Sequence, residues 1–430
     1  METIKKHLRN FLKKHAHLRL FVRKVKWRVE EQEYNKTAKG TEIDEKLVLF
    51  ETFMGRQYGC NPKAIYEYMI SDPAFDDYRL VWSFFDPQAK KAQFSALQRA
   101  EVVEVKTRAY YEICARAKYI VTNSALNYRI QKRPGQVFLQ TWHGTPLKRL
   151  RCDIEAEKGN VNNTLNEIKI KNDMDVVRYD LFLSPSPFAT DKFISSFNMK
   201  ELGIENIVRE TGYPRNDLLF HFTEEDVEEQ RRQLNIPAGK KVILYAPTFR
   251  DNEHDGAGYT YDVHLDFDRL QRELGDEYVI LFRAHYFVAN RFDFGKYPGF
   301  VIDASKLDDI TPLYIISDVL VTDYSSVFFD YANLKRPMLF YMYDLDDYAE
   351  GIRGFYFSID EIPGPKIRTE DELIRWIKDL EGEPYGKQYF DKYGDTFERF
   401  AEKFAPLEDG RASERAASEL IRAGREETQK

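Results

Sequence analysis

Two histidines stand in short motifs whose residue types suit proton transfer. His143 lies in the run QTWHGTPLK at residues 140–148, where an apolar segment ends, Gly144 permits close backbone approach, and a proline suits the first turn of a helix. Imidazole titrates near neutral pH, so His143 is suited to accept a proton from an attacking hydroxyl as a general base. The alternative is a histidine merely hydrogen-bonded in a loop, and the flanking glycine and proline weigh against it.

The second histidine, His285, follows Arg283 and Ala284 at the end of the apolar run 279–282. Arg283 offers a planar fork for phosphate oxygens, and His285 suits the stabilisation or protonation of a leaving phosphate. A structural salt bridge is the alternative role for Arg283. The motif predicts a phosphate site where a strand ends.

A third motif, DVLVTDYSSV at residues 318–327, reads as a strand, a small polar turn and the start of a helix. Ser325 and Ser326 would lie at the helix N-terminus, where free backbone N–H groups form an anion site suited to a pyrophosphate. The alternative is that these serines only cap the helix. We assign Asp323 to the same donor-binding turn, and Asp330 is near enough to meet a ribose hydroxyl.

Two further loops have the same character, although both could be ordinary turns. The segment YAPTFR at residues 245–250 contributes Thr248 and Arg250, which we assign to donor binding. The segment GYPRND at residues 212–217 contributes Arg215 and Asn216, which we place with Gly144 and Lys148 on the acceptor side or in the cleft. The acidic run at residues 344–347 lacks supporting ligands, so we predict no metal and no cofactor.

The elements that must position these residues are apolar runs alternating with helical segments. This alternation predicts an α/β fold of mostly parallel sheets covered by helices, with ligands bound at the carboxyl ends of the strands. The runs form two series, which implies two Rossmann-like domains. The predicted strands lie at residues 47–50, 79–84, 119–122, 137–140 and 180–184, and then at 242–245, 278–282, 319–322 and 338–341.

A chain of 430 residues is long for one hydrophobic core, which also favours two domains. The charged segment 222–237 marks their boundary. We predict a basic segment and linker at residues 1–40, an acceptor domain at 41–235, a donor domain at 236–385, and a helical tail at 386–430 whose end, from residue 408, is a solvated helix or frayed.

The net charge of −7 conceals a basic N-terminal segment, because residues 5–28 hold ten Lys or Arg and no acid. Apolar residues from Ile4 to Val29 recur there at helical spacing, as in a helix lying on an anionic membrane surface. A solvated helix, or one docked on a partner or second copy, is the alternative. No run suits a secretory signal or a spanning helix, no nucleic-acid motif accompanies the basic segment, and three scattered cysteines indicate a reducing compartment.

Taken in order along residues 47–365, the motifs resemble the CDP-glycerol:glycerophosphotransferase family of teichoic acid and capsule synthesis. The resemblance also rests on the segments RGFY at residues 353–356 and PGP at 363–365. It implies a GT-B-like architecture and the transfer of an alditol phosphate from CDP-glycerol or CDP-ribitol to a hydroxyl, with release of CMP. The family's usual Arg-x-His-Pro form has Tyr286 here in place of the proline, so we expect a different turn after His285.

By this resemblance His143 is the base that activates the acceptor hydroxyl, and Arg283 and His285 lie against the donor phosphates with Ser325 and Ser326. It further implies a lipid-linked acceptor and peripheral attachment to the cytoplasmic face of the membrane. Formation of a homo-oligomer is left open. The sequence leaves open glycerol or ribitol, and primase or polymerase. The alternatives are a GT-B glycosyltransferase or epimerase using a nucleotide sugar, and a non-catalytic membrane-associated scaffold.

Overall fold

Two fully parallel β-sheets organise the chain, one after the other in sequence. The computed structural model describes residues 15–155, 164–248, 264–284, 293–345 and 354–429. The first sheet has seven strands in the order β3-β2-β1-β4-β5-β6-β7, and the second has six in the order β10-β9-β8-β11-β12-β13. Every paired strand runs parallel to its neighbour. Each sheet therefore contains the 3-2-1-4-5-6 order of a nucleotide-binding fold.

The strands of the first sheet precede those of the second. Their bounds are β1 Asp44–Glu51, β2 Arg79–Phe84, β3 Glu101–Glu104, β4 Ala117–Thr122, β5 Val137–Gln140, β6 Leu181–Ser184, β7 Val208–Glu210, β8 Lys241–Ala246, β9 Tyr278–Phe282, β10 Val301–Asp303, β11 Val319–Thr322, β12 Met338–Tyr341 and β13 Lys366–Ile367. All nine predicted strands are present, and the prediction of two parallel-sheet domains facing a cleft is confirmed.

Helices connect most successive strands, as parallel pairing requires. The described α-helices are α1 Ala16–Ala38, α2 Cys60–Ser71, α3 Pro87–Gln93, α4 Arg108–Arg116, α5 Leu165–Val176, α6 Pro187–Ser196, α7 Met199–Leu202, α8 Leu218–His221, α9 Glu224–Gln233, α10 Phe267–Leu274, α11 Thr311–Ile316, α12 Val327–Tyr331, α13 Glu370–Asp379, α14 Lys387–Phe404 and α15 Ala412–Thr428.

The two C-terminal helices pack on different domains. In the core of the second sheet, Phe400 of α14 stacks on Phe329, and Phe404 packs against the same ring in a T-shaped arrangement. Leu420 of α15, by contrast, is fully buried against the first sheet, and the Asp217 carboxylate accepts hydrogen bonds from the first two backbone amides of α15. The expectation of a solvated or frayed end from residue 408 is therefore wrong, because helix α15 returns to complete the first domain. The domain boundaries themselves stay predictions.

Ion pairs hold the two domains together on one side of the cleft. Lys63 of α2 contacts Asp309 of the second domain at 2.8 Å, and Lys90 contacts Asp308 at 2.5 Å. All four side chains are largely buried, so these pairs are shielded from solvent. They fix the distance between the two sets of strand exits.

Helix α1 contains the described part of the predicted basic segment, and residues 1–14 lie outside the described residues. Arg19 and Arg23 both contact Glu167 at the start of α5, and Tyr34 is fully buried farther along. Charge pairing and aromatic packing thus fix α1 on the first domain. No helix among the described residues is both long and apolar enough to cross a bilayer.

Candidate functional site between the two domains

The site lies in a cleft where the carboxyl ends of both sheets face each other. Each sheet reverses its strand order at one point, between β1 and β4 in the first and between β8 and β11 in the second. Ligands of such sheets bind at these reversal points. The cleft encloses a cavity of about 370 Å³, lined from the first domain by residues such as Phe53 and His143 and from the second by residues such as Thr248 and Ser326.

His143 is oriented by the reversal point of the first sheet. Its Nδ1 lies 2.7 Å from the backbone oxygen of Asn123, which follows β4. A carbonyl oxygen can only accept, so Nδ1 carries the proton in this contact and the lone pair of a neutral ring resides on Nε2. The edge of Phe53 packs against the imidazole with the ring centroids 5.6 Å apart. His143 therefore has the tautomer that a general base using Nε2 requires.

The loop that carries His143 is held in a strained conformation. Trp142 has a φ of 52°, which is uncommon for a bulky side chain. The Asn61 side chain donates to the backbone oxygens of Thr141 and Trp142, and Gln140 accepts from the Trp142 amide. Strain of this kind persists only where neighbouring contacts determine the backbone, and it is frequent at functional sites.

Gly144 allows the two domains to approach closely beside His143. A Cβ atom at residue 144 would lie 2.9 Å from Oγ of Ser326, in the turn after β11. Ser326 makes no side-chain capping bond to helix α12. Capping therefore does not account for the Ser326 hydroxyl, and Ser325 and Ser326 both line the cavity as predicted.

Asp323 connects the two loops at the reversal point of the second sheet. Its Oδ1 accepts from the backbone amide of Thr248, after β8, at 2.8 Å and from that of Tyr324 at 2.6 Å. Asp323 is buried and Thr248 lines the cavity. The structure thus gives Asp323 a supporting contact inside its own domain, and its direct role toward a donor stays a prediction.

Arg283 lines the cavity but already binds the protein backbone. Its Nη1 donates to the backbone oxygens of Ala304 and Leu307, both at 2.6 Å. Burial lowers the pKa of this guanidinium, against the opposing effect of the nearby Asp309 and Asp308 charges. These two hydrogen bonds of Arg283 therefore hold the loop that leads to Asp308 and Asp309, the aspartates of the inter-domain ion pairs. The sequence did not indicate this role.

Arg215, predicted on the acceptor side or in the cleft, contacts Asp330, predicted on the donor side. Nη2 of Arg215 donates to both carboxylate oxygens of Asp330, at 3.0 and 2.7 Å. The Asn216 side chain donates to Glu408 at 3.2 Å through Nδ2, and it also forms a hydrogen bond with Asp330. The structure therefore joins Arg215 and Asn216 to Asp330, and Asn216 also contacts the C-terminal segment.

Lys148 lies on the cavity wall opposite a segment of the second domain. Its backbone pairs antiparallel with Phe355, and the amide of Tyr356 donates to the backbone oxygen of Leu147. The Tyr356 hydroxyl donates to Asp153 at 2.6 Å, which closes this side of the cleft.

Several predicted features fall outside the described residues: His285, Arg250 and residues 346 and 347 of the acidic run. Their assignments stay predictions. Among the described residues, no group of three or more His, Cys, Asp or Glu side chains could hold a metal ion.

Two asparagines in the site escaped the sequence analysis. Asn123 orients His143 through its backbone oxygen and receives the Phe53 amide on Oδ1, and Asn61 holds the strained loop. Asn123 directly follows a predicted strand, the same signal that identified the other loops. Asn61 lies near the start of helix α2 and carries no such signal.

The chain is similar in sequence to enzymes of teichoic acid synthesis. The family model described as CDP-glycerol:poly(glycerophosphate) glycerophosphotransferase matches residues 33–422. The chain is 41% identical over 384 residues to the teichoic acid poly(glycerol phosphate) polymerase of Bacillus subtilis (strain 168), covering 89% of the chain and 49% of that protein. It is 39% identical over 386 residues to the teichoic acid glycerol-phosphate transferase of Staphylococcus aureus (strain NCTC 8325 / PS 47), covering 88% and 94%.

A solved structure agrees over nearly the whole chain. A variant of the wall teichoic acid polymerase TagF, soaked with CDPG, superposes with a TM-score of 0.81 at 35% identity, covering 98% of this chain and 99% of that one. The chain spans about half the length of the Bacillus subtilis relative and nearly all of the Staphylococcus aureus relative.

Proposed function

The chain belongs to the CDP-glycerol:poly(glycerophosphate) glycerophosphotransferase family, and from this premise we propose that it transfers glycerol phosphate from CDP-glycerol to a hydroxyl of a lipid-linked teichoic-acid acceptor. The names of the two curated relatives support glycerol as the alditol. CDP-ribitol is the alternative donor.

The observation that carries the proposal is the hydrogen bond between His143 Nδ1 and the backbone oxygen of Asn123. It leaves the lone pair of the neutral ring on Nε2, as a base toward an acceptor hydroxyl requires. The same cavity is lined from the other domain by the serine turn. An acceptor hydroxyl from one side and a donor phosphate from the other would thus meet beside His143.

In the proposed reaction, the acceptor oxygen attacks the phosphorus that bears the glycerol of CDP-glycerol. Nε2 of His143 takes the hydroxyl proton as the new P–O bond forms. The bond from this phosphorus to the oxygen shared with the cytidine phosphate breaks, and CMP departs with that oxygen and its electron pair. The products are an acceptor longer by one glycerol phosphate, CMP and a proton passed from His143 to water.

Negative charge accumulates on the departing CMP, so the second domain must supply hydrogen-bond donors there. Ser325, Ser326 and Arg283 line the cavity on that side. We assign them, with His285 and Arg250, to the donor phosphates. The bonds of Arg283 to two backbone oxygens support an orienting contribution from that residue as well.

We further propose that helix α1 attaches the protein to the anionic cytoplasmic face of the membrane. Leu18, Val22, Val25 and Val29 recur along one exposed stripe, and Phe21 beside them is 64% exposed. An apolar stripe flanked by lysines and arginines is typical of a helix lying at a membrane surface. A lipid-linked acceptor would then reach the cleft from the same surface.

The decisive test offers radiolabelled CDP-glycerol and CDP-ribitol, each with a soluble or lipid-linked glycerol-phosphate acceptor, and measures CMP release and label transfer. We expect turnover of CDP-glycerol. Turnover of CDP-ribitol alone would reassign the donor. Rejection of both donors together with turnover of a nucleotide sugar would support the glycosyltransferase alternative, and no turnover of any donor would support the scaffold alternative.

A further inference from the structure

Arg215 contacts both halves of the site at once. From the first domain, its Nη1 donates to the backbone oxygen of His143 at 2.7 Å and lies 3.4 Å from Sγ of Cys60. From the second domain, both carboxylate oxygens of Asp330 accept hydrogen bonds from Nη2 of Arg215. One side chain thus connects the residue that bears the base to helix α12 of the opposite domain.

The same residue also contributes to the clamp on the strained loop. The backbone amide of Arg215 donates to Asn61 Oδ1 at 3.1 Å, and the Asn61 amide group donates to the backbone oxygens of Thr141 and Trp142. Together, Arg215 and Asn61 hold three successive backbone oxygens of the loop that contains His143. The left-handed backbone of Trp142 lies at the centre of this clamp.

The ion pair can hold the loop only while the domains are together. The side chains of Arg215 and Asp330 are 10% and 5% exposed, so each loses most of its hydration and depends on the other. Burial raises the pKa of Asp330, and the Arg215 charge and hydrogen bonds oppose that rise. Withdrawal of the second domain would leave a buried guanidinium without its counter-charge, so the guanidinium would turn toward water.

We infer that Arg215 is a positioning residue that couples closure of the two domains to the placement of His143. This inference rests on the proposed function. When Asp330 engages Arg215, the guanidinium fixes the His143 backbone and the base is in place; when the domains part, the loop relaxes. Deprotonation of the acceptor is thereby restricted to the closed enzyme, in which the donor is enclosed.

The competing role for Asp330 is a direct contact with the donor ribose. The two roles predict different kinetics. A ribose contact removed by Asp330→Asn would weaken donor binding and leave the chemical step intact. A lost positioning contact would slow the chemical step and leave donor binding nearly unchanged, because the binding turn itself is untouched.

The experiment compares Arg215→Lys and Asp330→Asn with the wild-type chain, using CDP-glycerol and a soluble acceptor. We expect kcat to fall roughly 10²-fold, as a displaced catalytic group does, while KM for the donor changes less than about threefold. Arg178→Lys is the matched control, since Arg178 also pairs with a buried aspartate, Asp175, but within the first domain. The Arg178→Lys variant should be less stable than the wild-type chain but should not show the roughly 10²-fold fall in kcat.

Hydrogen–deuterium exchange supplies a readout that does not depend on turnover. Amides of residues 140–145 should exchange faster in Arg215→Lys and Asp330→Asn than in the wild-type chain, and Arg178→Lys should leave them unchanged. The inference is overturned if exchange in this segment is unaffected, or if Asp330→Asn raises donor KM at constant kcat and a 2′-deoxyribose donor abolishes that effect. If the wild-type chain turns over no CDP-glycerol, the proposed function fails while the exchange result still decides the coupling.

Discussion

Gly144 and Ser326 lie so close across the cleft that a Cβ atom on residue 144 would be 2.9 Å from the serine Oγ. Gly144→Ala should therefore displace either the His143 loop or the serine turn. We expect kcat for CMP release to fall by roughly 10²-fold, because a displacement of about 1 Å at a catalytic group has that effect.

Gly394→Ala is the control for this substitution. Gly394 lies within helix α14, and a Cβ atom there would meet nothing within 4 Å. Alanine should stabilise that helix by up to about 1 kcal/mol and leave turnover unchanged. Wild-type kcat in Gly144→Ala would show that the close approach has no role in the reaction.

Removal of the proposed base should affect the chemical step far more than donor binding. His143→Ala is expected to lower kcat by roughly 10²–10⁴-fold, the usual contribution of general base catalysis. Calorimetric titration with CDP-glycerol should give nearly the wild-type affinity. His221, whose ring contacts the backbone oxygen of Gly410 away from the cavity, provides the control His221→Ala. Equal activity of the two variants would contradict the assignment of His143.

Glu408 should make stability depend on pH. Burial of its carboxyl group, whose Oε2 has no hydrogen-bond partner, raises the pKa of Glu408 to about 8. Between about pH 4.5 and pH 8, the Glu408 carboxyl group therefore keeps its proton in the folded protein and loses it in the unfolded chain, where its pKa has the ordinary value of 4.5. The resulting stabilisation is fully present below about pH 4.5 and is lost as pH rises toward about 8.

Thermal unfolding of the wild-type chain and of Glu408→Gln across this window tests the assignment. Because the glutamine is neutral at every pH, the melting temperature of the variant should rise relative to that of the wild-type chain as the pH increases. Each kcal/mol corresponds to roughly 2–4 °C or less in a chain of this size. The exposed Glu398 of helix α14 supplies the control Glu398→Gln, and parallel curves for wild type and Glu408→Gln would refute the prediction.

Helix α15 should stabilise the first domain by burying Leu420. Leu420→Ala removes a fully buried side chain between this helix and the first sheet, which typically costs about 2–5 kcal/mol. Urea unfolding followed by two probes, one for each domain, should show the loss in the first domain. Arg422→Ala, on the solvent side of the same helix, should change the free energy of unfolding by about 0.5 kcal/mol or less.

The exposed stripe of helix α1 should govern attachment to lipid. Phe21→Glu is expected to weaken binding to vesicles containing an anionic lipid by roughly tenfold or more, since it loses apolar burial and adds a repelled charge. Asn35→Glu adds the same charge away from the stripe and should have a smaller effect. High salt should release the wild-type chain, and salt-insensitive failure to bind vesicles would reject membrane attachment.

The sequence analysis located the central strands and missed all four strands at the sheet edges, β3, β7, β10 and β13. Central strands of a parallel sheet are covered on both faces and so appear as continuous apolar runs. The edge strands have two to four residues, and β7 reads Val-Arg-Glu. Segments this short and polar carry no periodic signal, which is how edges avoid pairing with other chains.

Most of the described residues predicted for the site line the cavity, but the contacts between them were not predictable from the sequence. Strand exits identified His143 and Ser326, since parallel strands end at one edge. The partner of Arg215 lies 115 residues farther along the chain, and Arg283 binds backbone oxygens that no residue type reveals. The sequence predicts a solvated end in place of helix α15 because the buried face of this helix consists largely of small residues, Ala416, Ala417 and Gly424, around one leucine.

The return of helix α15 to the first sheet has a consequence for synthesis on the ribosome. The last strand of that sheet, β7, is translated some 200 residues before the helix that covers Tyr119 and Leu139. At about 5–20 residues per second, this interval lasts roughly 10 to 40 seconds. Throughout it, the nascent first domain exposes the apolar surface that helix α15 later covers, so this surface is where chaperones would act and where premature association would begin.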